Sequence, residues 1–324
     1  MKPSTWFGPS DAGDAGAPLV SLADVTEIEL LILKRMREFT IGEHSSLFQG
    51  SGFDFTGLRD WQAGDRFEHI DWPQSSLTNF SPFVVREFEQ PSTSSVVIVA
   101  DRSASTRCGA GGISVEAVVA RAIATIGMSA VFFQDAVGLI TFEDRFERLA
   151  GVRPRIGKNQ VIRCLDFYQG SGGERGKAPL YGAPEIRGAE SLSGTIGGFM
   201  RKTSMVPVVS DFLFDDAADV IRELARLDTH HDVFVTLIDA AFAFELPPVS
   251  AGWVEAYDVE TGRARVMSRG DARRLAARVR SWQDGIAALA RQADLDVLRL
   301  GADQAQFDIA LREFVIQRRL RRKK

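Results

Sequence analysis

Four oxygen-bearing side chains follow two apolar runs of the sequence: Asp101, Ser103, Ser105 and Asp211. The runs, 96–100 and 206–210, have the length and composition of strands buried on both faces. Ligands bind beyond the carboxyl ends of strands in an open parallel sheet, so we expect the four side chains to face one crevice. Carboxylate and hydroxyl oxygens suit a hard cation such as Mg²⁺.

The same residues also fit a purely structural interpretation. Asp and Ser side chains commonly accept hydrogen bonds from free backbone N–H groups in loops and at helix starts. Because both residue types are frequent in loops, the spacing of Asp101, Ser103 and Ser105 alone favours this second interpretation. The residues by themselves leave a cation site and a hydrogen-bonded loop as alternatives.

The elements that would position the crevice alternate between strand and helix. Strand-like apolar runs and helical apolar periodicity follow one another along the chain. The strands are predicted at 96–100, 137–142, 206–210, 232–238, 253–257 and 297–300, and the helices at 114–133, 160–168, 189–200, 217–227, 271–292 and 303–320. Segment 170–185 is rich in Gly, Pro, Ser and charge, which predicts a loop. The alternation is typical of an α/β fold with a doubly wound, mostly parallel sheet.

Three further segments are predicted before the first of these strands. Residues 1–20 are rich in Pro, Gly, Ala, Ser and Asp and are expected to be a disordered N-terminus. Ser21 and Asp24 have capping-box spacing and open an apolar-periodic run, which predicts a leading helix over 21–39. From 40 to 94, glycines separate short aromatic segments, the pattern of a small β-rich subdomain.

The composition restricts the class of protein. Of the 324 residues, 45% are hydrophobic and 25% are charged, which excludes a largely disordered chain. The net charge of −4 gives no reason to expect nucleic acid as a partner. Cys108 and Cys164 share no spacing motif, which favours a reducing compartment. The longest uncharged run that is mainly apolar, 122–134, is too short to cross a bilayer, so we expect a cytoplasmic protein without a membrane span.

A basic tail closes the sequence. Residues 318–324 carry six positive charges, a run that could bind nucleic acid or anionic lipid. No second basic cluster supports that use. We expect the tail to be a solvated helix end, where cations also suit the helix dipole.

A longer pattern precedes the first predicted sheet strand. It reads Phe55-x-x-Leu58-Arg59-Asp-Trp61-x-x-Gly64-Asp65-x-x-x-x-Ile70-Asp71-Trp72, and it is followed by Val84-Val-Arg86-Glu87-Phe88 and, further on, by Tyr257-Asp258-Val-Glu260-Thr261-Gly262. Together these segments resemble the signature of the prokaryotic domain-of-unknown-function-58 family, over residues 40–320. The Asp-x-Ser-x-Ser spacing, with Val208-Val-Ser-Asp211, resembles the metal-ion-dependent adhesion site of von Willebrand factor A-like domains.

The resemblance implies a von Willebrand factor A-like domain over 95–317, with the β-rich subdomain before it. It also implies a non-enzymatic interaction protein, a scaffold or adaptor that works with a MoxR-type AAA ATPase in assembling or activating client protein complexes. In such a site a Mg²⁺ ion would be held by Asp101, Ser103, Ser105 and Asp211. No organic cofactor is expected.

Two features depart from the adhesion-site pattern. Such a site normally takes a Thr from a loop between its first and last ligands, but the segment 170–185 has no Thr and Thr195 falls in a predicted helix. Arg102 places a cation next to the predicted site, and a guanidinium in the crevice would disfavour Mg²⁺. Both features put metal binding in question without affecting the fold.

Two enzymatic alternatives have weaker support. A metal-dependent hydrolase or phosphotransferase could use the Asp101/Asp211 crevice, although no His, Cys or Lys nucleophile or base is recognisable near it. Arg59, Asp65 and Asp71 could act as clamp, base and acid in the upstream segment. Pairing between Arg and Asp would explain those charges without chemistry, and we favour that interpretation.

Overall fold

The computed structural model describes residues 19–41, 54–62, 65, 67, 70–89, 95–110, 113–143, 148–170, 191–200, 202–244, 253–257, 264–303, 309–311, 313–314 and 318. Residues 1–18 of the N-terminus predicted to be disordered over 1–20 lie outside the described residues, as do residues 171–185 of the predicted loop 170–185 and the basic residues 319–324. The chain divides into two compact units, one made of residues 1–32 and 94–324 and the other of residues 33–93.

The leading helix, α1, spans Leu22–Ile41 and begins as the sequence predicts. The backbone N–H of Ser21 donates to Asp24 Oδ2 at 2.8 Å, and the N–H of Asp24 donates back to Ser21 Oγ at 3.2 Å. These reciprocal bonds form a capping box and satisfy donors that the first helical turn leaves free.

The smaller unit contains an antiparallel pair of strands with a short helix between them. The strands are β1, Asp54–Asp60, and β2, Val84–Glu89, and the helix is α2, Trp72–Leu77. Asp71 caps α2 by accepting a hydrogen bond from the Gln74 backbone N–H at 3.1 Å. Val85 is buried, and Trp72 is more than half exposed.

The larger unit is built on a six-stranded sheet with the order β12-β9-β8-β3-β6-β7. Its elements in chain order are β3 Ser95–Asp101, the short pair β4 Gly109–Ala110 and β5 Ile113–Ser114, α3 Val115–Phe132, β6 Ala136–Glu143, β7 Arg148–Arg155, α4 Lys158–Gly170, α5 Leu192–Phe199, β8 Ser204–Ser210, α6 Ala217–Asp228, β9 Asp232–Ile238, β10 Trp253–Tyr257, β11 Ala264–Ser268, α7 Arg269–Gln292 and β12 Asp296–Leu300. Every neighbouring pair in the sheet is parallel except β6 and β7. The predicted α/β fold with a mostly parallel sheet is confirmed.

Burial explains why the apolar runs become central strands. All seven residues of β8 and all but the first of β3 are buried, because helices cover both faces of the sheet. Helix α3 is long and apolar enough to cross a membrane by length and composition, and 72% of it is buried inside the structure. That burial is the pattern of a core helix.

Several elements differ from the sequence-based prediction. Strand β7 was not predicted, because its arginines and Pro154 do not form an apolar run. Pro is tolerated at this antiparallel edge, where the register with β6 shifts between Val137 and Leu139. Strand β10 does not join the main sheet but pairs with β11 in a separate hairpin. The helix predicted from 189 begins at 192.

Candidate functional site

Asp101 closes strand β3 and is completely buried. Its Oδ1 accepts a hydrogen bond from the Ser103 backbone N–H at 2.7 Å, and its Oδ2 accepts one from Ser210 Oγ at 2.5 Å. Its backbone carbonyl accepts a third from the hydroxyl of Tyr168, on α4, at 2.8 Å. Both carboxylate oxygens and the carbonyl are therefore held in place.

Asp211 follows strand β8 and is also completely buried. Its Oδ1 accepts hydrogen bonds from the Leu213 backbone N–H at 3.0 Å and from Ser105 Oγ at 3.3 Å. Its Oδ2 is buried and has no hydrogen-bond partner in the described part of the chain. A buried carboxylate oxygen left without a partner is costly, so this atom is the point at which the site is incomplete.

The four predicted residues form one continuous hydrogen-bonded group. The Oγ atoms of Ser103 and Ser105 lie 3.0 Å apart, and Ser105 links onward to Asp211. We call Asp101, Ser103, Ser105, Ser210 and Asp211 the carboxylate cluster. It forms because β3 and β8 are neighbours in the parallel sheet, with Ala100 opposite Val209, so their carboxyl ends meet.

Ser210 is a member of the cluster that the sequence analysis missed. Its hydroxyl donates to Asp101 Oδ2 and accepts from the Phe212 backbone N–H at 2.9 Å. It therefore links the ends of the two strands. The available signal was a hydroxyl residue at the end of an apolar run, directly before Asp211.

Electrostatics work against two ionised carboxylates in this cluster. Burial raises the pKa of Asp101, and the hydrogen bonds from Ser103 and Ser210 only partly oppose that shift. Burial, together with the negative charge of Asp101, raises the pKa of Asp211 to about 7. Two adjacent carboxylates in a dry site cannot both ionise without compensation. The cluster therefore favours a proton or a cation.

The loop after β8 is fixed by two adjacent side chains of helix α7. Gln283 Nε2 donates to the backbone carbonyls of Asp211 at 2.9 Å and Ile238 at 2.8 Å. Trp282 Nε1 donates to the carbonyl of Phe212 at 2.8 Å. Phe212 has a φ of 53°, a conformation that is unfavourable for a bulky residue. These contacts hold Asp211 in the position that faces Asp101.

The two predicted departures from the adhesion-site pattern have different outcomes. The Arg102 guanidinium does not bind the carboxylates of the cluster; its Nη1 pairs with Glu143 Oε1 at 3.0 Å. Thr195 lies in helix α5, as predicted, and its Oγ1 donates to the Ser191 carbonyl at 2.9 Å. The Thr side chain that does contact the cluster is that of Thr106, whose Oγ1 donates to the backbone carbonyl of Ser103 at 2.8 Å.

In the smaller unit, Arg59 and Asp65 pair with each other. Arg59 forms two hydrogen bonds of 2.7 Å with the carboxylate of Asp65, in the arrangement that the structural interpretation predicts. Asp65 also accepts a 2.8 Å hydrogen bond from the Gln62 backbone N–H. Asp71 serves as the cap of α2. Each of the three therefore has a structural role.

The first residue of the basic tail is not a solvated charge. Arg318 donates through Nε to Asp232 Oδ1 at 2.8 Å and through Nη2 to the Val233 carbonyl at 3.2 Å. Its guanidinium lies 5.1 Å from the ring centroid of Phe234. The expectation of a solvated helix end is therefore wrong for Arg318, because strand β9 supplies acceptors and an aromatic face.

The donor set of the cluster fits a hard divalent cation. The carboxylates of Asp101 and Asp211 and the hydroxyl groups of Ser103 and Ser105 supply only oxygen, the donor type that Mg²⁺ prefers, and Mg²⁺ commonly takes few carboxylates and keeps several waters. Asp211 Oδ2 is the buried oxygen without a partner that a cation would satisfy. The described parts of the chain hold no group of three or more His, Cys, Asp or Glu side chains able to bind a metal, so a cation here would depend on the Ser hydroxyls.

Comparisons with known proteins give one family match and distant structural matches. The model of the family described as "Protein of unknown function DUF58" matches residues 57–283. The conserved hypothetical protein BatB from Bacteroides thetaiotaomicron is 13% identical, with 68% of this chain and 97% of that chain covered and a TM-score of 0.34. An aerotolerance-related membrane protein from Bacteroides fragilis is 13% identical, with coverages of 68% and 99% and a TM-score of 0.36. No curated protein matches the chain.

Proposed function

The chain belongs to the DUF58 family of proteins of unknown function, and from that membership and the carboxylate cluster we propose that it is a non-enzymatic interaction scaffold or adaptor. In this proposal the cluster receives a carboxylate from a partner protein, with a Mg²⁺ ion between them. The observation that carries the proposal is Asp211 Oδ2, a buried carboxylate oxygen without a partner at the carboxyl edge of the sheet. A partner that completed the site would remove this unfavourable burial.

We propose that the larger unit is a von Willebrand factor A-like domain. Its mostly parallel sheet, with a single antiparallel strand at the β7 edge, supports this assignment. So does the loop after β3, where Asp101, Ser103 and Ser105 lie in one hydrogen-bonded group with Asp211.

In this proposal Asp101, Ser103, Ser105 and Asp211 hold the cation. A bound Mg²⁺ would offset the repulsion between the two carboxylates and accept a further oxygen from outside the chain. The chain's own residues keep the ligands in place: Ser210 orients Asp101, and Gln283 fixes the backbone behind Asp211. Arg102 pairs with Glu143 rather than with Asp101 or Asp211, which leaves both carboxylates to the cation.

The family resemblance supports a MoxR-type AAA ATPase as the partner, with client protein complexes as the targets of the pair. The cytoplasmic location proposed with it is supported by Cys108 and Cys164, which form no disulfide. The sequence motif and the cluster do not identify the client.

A chelator experiment tests the docking proposal. Binding of the full chain to a MoxR-type ATPase of the same organism would be measured by biolayer interferometry with Mg²⁺ and with EDTA. We expect EDTA and Asp211→Asn to abolish binding. The matched control, Asp219→Asn, changes an exposed carboxylate of α6 and should leave binding intact. Partner affinity that is unchanged by EDTA would show that the metal-bridged mechanism is wrong.

A metal-dependent hydrolase or phosphotransferase is the second candidate, and the pKa of Asp211 near neutrality is the observation that favours it. Against it, the hydrogen bonds of the cluster within the described residues involve no His, Cys or Lys side chain. Turnover of a panel of phosphoesters that disappears in a folded Asp101→Ala variant would favour the enzyme over the scaffold.

A further inference from the structure

The β10–β11 hairpin has strand edges that no other strand among the described residues joins. Its two strands pair only with each other, with Trp253 opposite Ser268 and Val254 opposite Met267. An unpaired strand edge presents backbone N–H and C=O groups to any extended segment that approaches it.

A cavity of about 360 Å³ lies between β11 and helix α7. It is lined by Val266, Met267, Asp271, Arg274, Leu275 and Arg278. The cavity therefore lies along the end of β11 and the first turns of α7. The volume is at the lower end of the range of about 300–1,000 Å³ found for ligand pockets.

The walls of this cavity combine apolar surface with an uncompensated positive charge. Val266 is 63% exposed although it is apolar. The carboxylate of Asp271 is already used, because it accepts hydrogen bonds from Ser268 and pairs with Arg274. Arg278 forms no ion pair or hydrogen bond in the described part of the chain. A ligand with an apolar side chain and a carboxylate would match both features.

We propose that the groove between β11 and α7 binds an extended acidic segment of a partner protein. The segment adds a strand to the free edge of β11, places an apolar side chain in the cavity and pairs a carboxylate with Arg278. Main-chain hydrogen bonds would supply affinity in this mode, and the cavity and the arginine would supply specificity. The site is separate from the carboxylate cluster and does not depend on a metal.

Fluorescence anisotropy with the full chain tests the proposal. The probes are three fluorescein-labelled peptides in which Thr and Val alternate. The peptides carry Glu, Gln or Lys at the same two positions. We expect the Glu peptide to bind about tenfold more tightly than the Lys peptide, the size of effect that one charge-assisted hydrogen bond gives. Arg278→Glu should reverse this order. The matched control is Arg273→Glu, at an exposed position of the same helix that does not line the cavity. This variant should still bind the Glu peptide more tightly than the Lys peptide.

Two N-methylated versions of the Glu peptide test strand addition. Both carry methyl groups on the backbone nitrogens of alternate residues, on one edge of the strand in the first version and on the other edge in the second. An added strand uses only one of its edges, so one methylated peptide should bind like the parent and the other should not. The proposal fails if the Glu peptide does not bind at millimolar concentration, if both methylated peptides bind equally, or if Arg273→Glu has the same effect as Arg278→Glu. Sedimentation that shows a dimer dissociated by Arg278→Glu would instead assign the groove to a second copy of this chain and overturn the proposal.

Discussion

The raised pKa of Asp211 predicts that the metal-free protein loses stability as the pH rises. The ordinary Asp pKa of 3.8 applies to the unfolded chain, whereas burial beside Asp101 raises the folded value to about 7. Between these values the folded state keeps a proton that the unfolded state releases. The contribution of this group to folding is therefore fully present below pH 3.8 and is lost as the pH rises through 7.

The size of the effect follows from the two pKa values. A difference of about three units corresponds to about 4 kcal/mol between the low-pH and high-pH limits. Over the practical range from about pH 5.5 to about pH 8, linkage gives a loss of about 2 kcal/mol in the free energy of unfolding. This loss is a large part of the stability of an ordinary domain.

Urea denaturation in EDTA, followed by circular dichroism across this pH range, measures the effect. Asp211→Asn removes the titrating group with little change in shape. Between about pH 5.5 and about pH 8, the free energy of unfolding of this variant should therefore fall by about 2 kcal/mol less than that of the wild type. Asp219→Asn, the exposed control on α6, should follow the wild type. If the wild type and Asp211→Asn show the same pH dependence, the two carboxylates are not coupled as described and the electrostatic argument fails.

Three substitutions test the contacts that support the cluster and the C-terminal segment, each by urea denaturation. Tyr168→Phe removes the hydroxyl that holds the carbonyl at the end of β3 and should lower the free energy of unfolding by about 1–2 kcal/mol; no loss would show that this bond is dispensable. Gln283→Met leaves two buried carbonyls without their donor and should lower the free energy of unfolding by about 3 kcal/mol. Gln292→Met, at an exposed position, should lower it by almost nothing. Equal losses in the two variants would contradict the account. Arg318→Lys cannot reproduce the several donors of the guanidinium or its stacking and should cost about 1–3 kcal/mol, against less than about 0.5 kcal/mol for the exposed Arg222→Lys.

The sequence was sufficient to predict the central strands of the sheet, because strands that are buried on both faces consist mainly of apolar residues. The runs 96–100 and 206–210 are apolar apart from Ser210, and both become parallel strands. Parallel neighbours in one sheet have their carboxyl ends at the same edge, where ligands bind, so Asp101 and Asp211 are predicted to lie close together there. The structure places them there.

The parts that the sequence did not predict depend on contacts between distant segments. Tyr168 and Gln283 look like ordinary helix residues, and only the folded chain brings them to the carbonyls behind the two carboxylates. Strand β7 lies at an edge of the sheet, so its composition is not constrained to be apolar on both faces. The separation of β10 from the main sheet depends on its pairing with β11, which no local pattern reports.

The central claim is that the carboxylate cluster takes a cation, and calorimetric titration of the full chain with Mg²⁺ tests it most directly. At about pH 8, where the pKa of Asp211 favours its ionised form, we expect saturable binding to the wild type. The same titration should show no binding to Asp211→Asn and unchanged binding to Asp219→Asn, with circular dichroism confirming that both variants fold. Absence of saturable binding to the wild type, or equal binding to Asp211→Asn, would contradict the account.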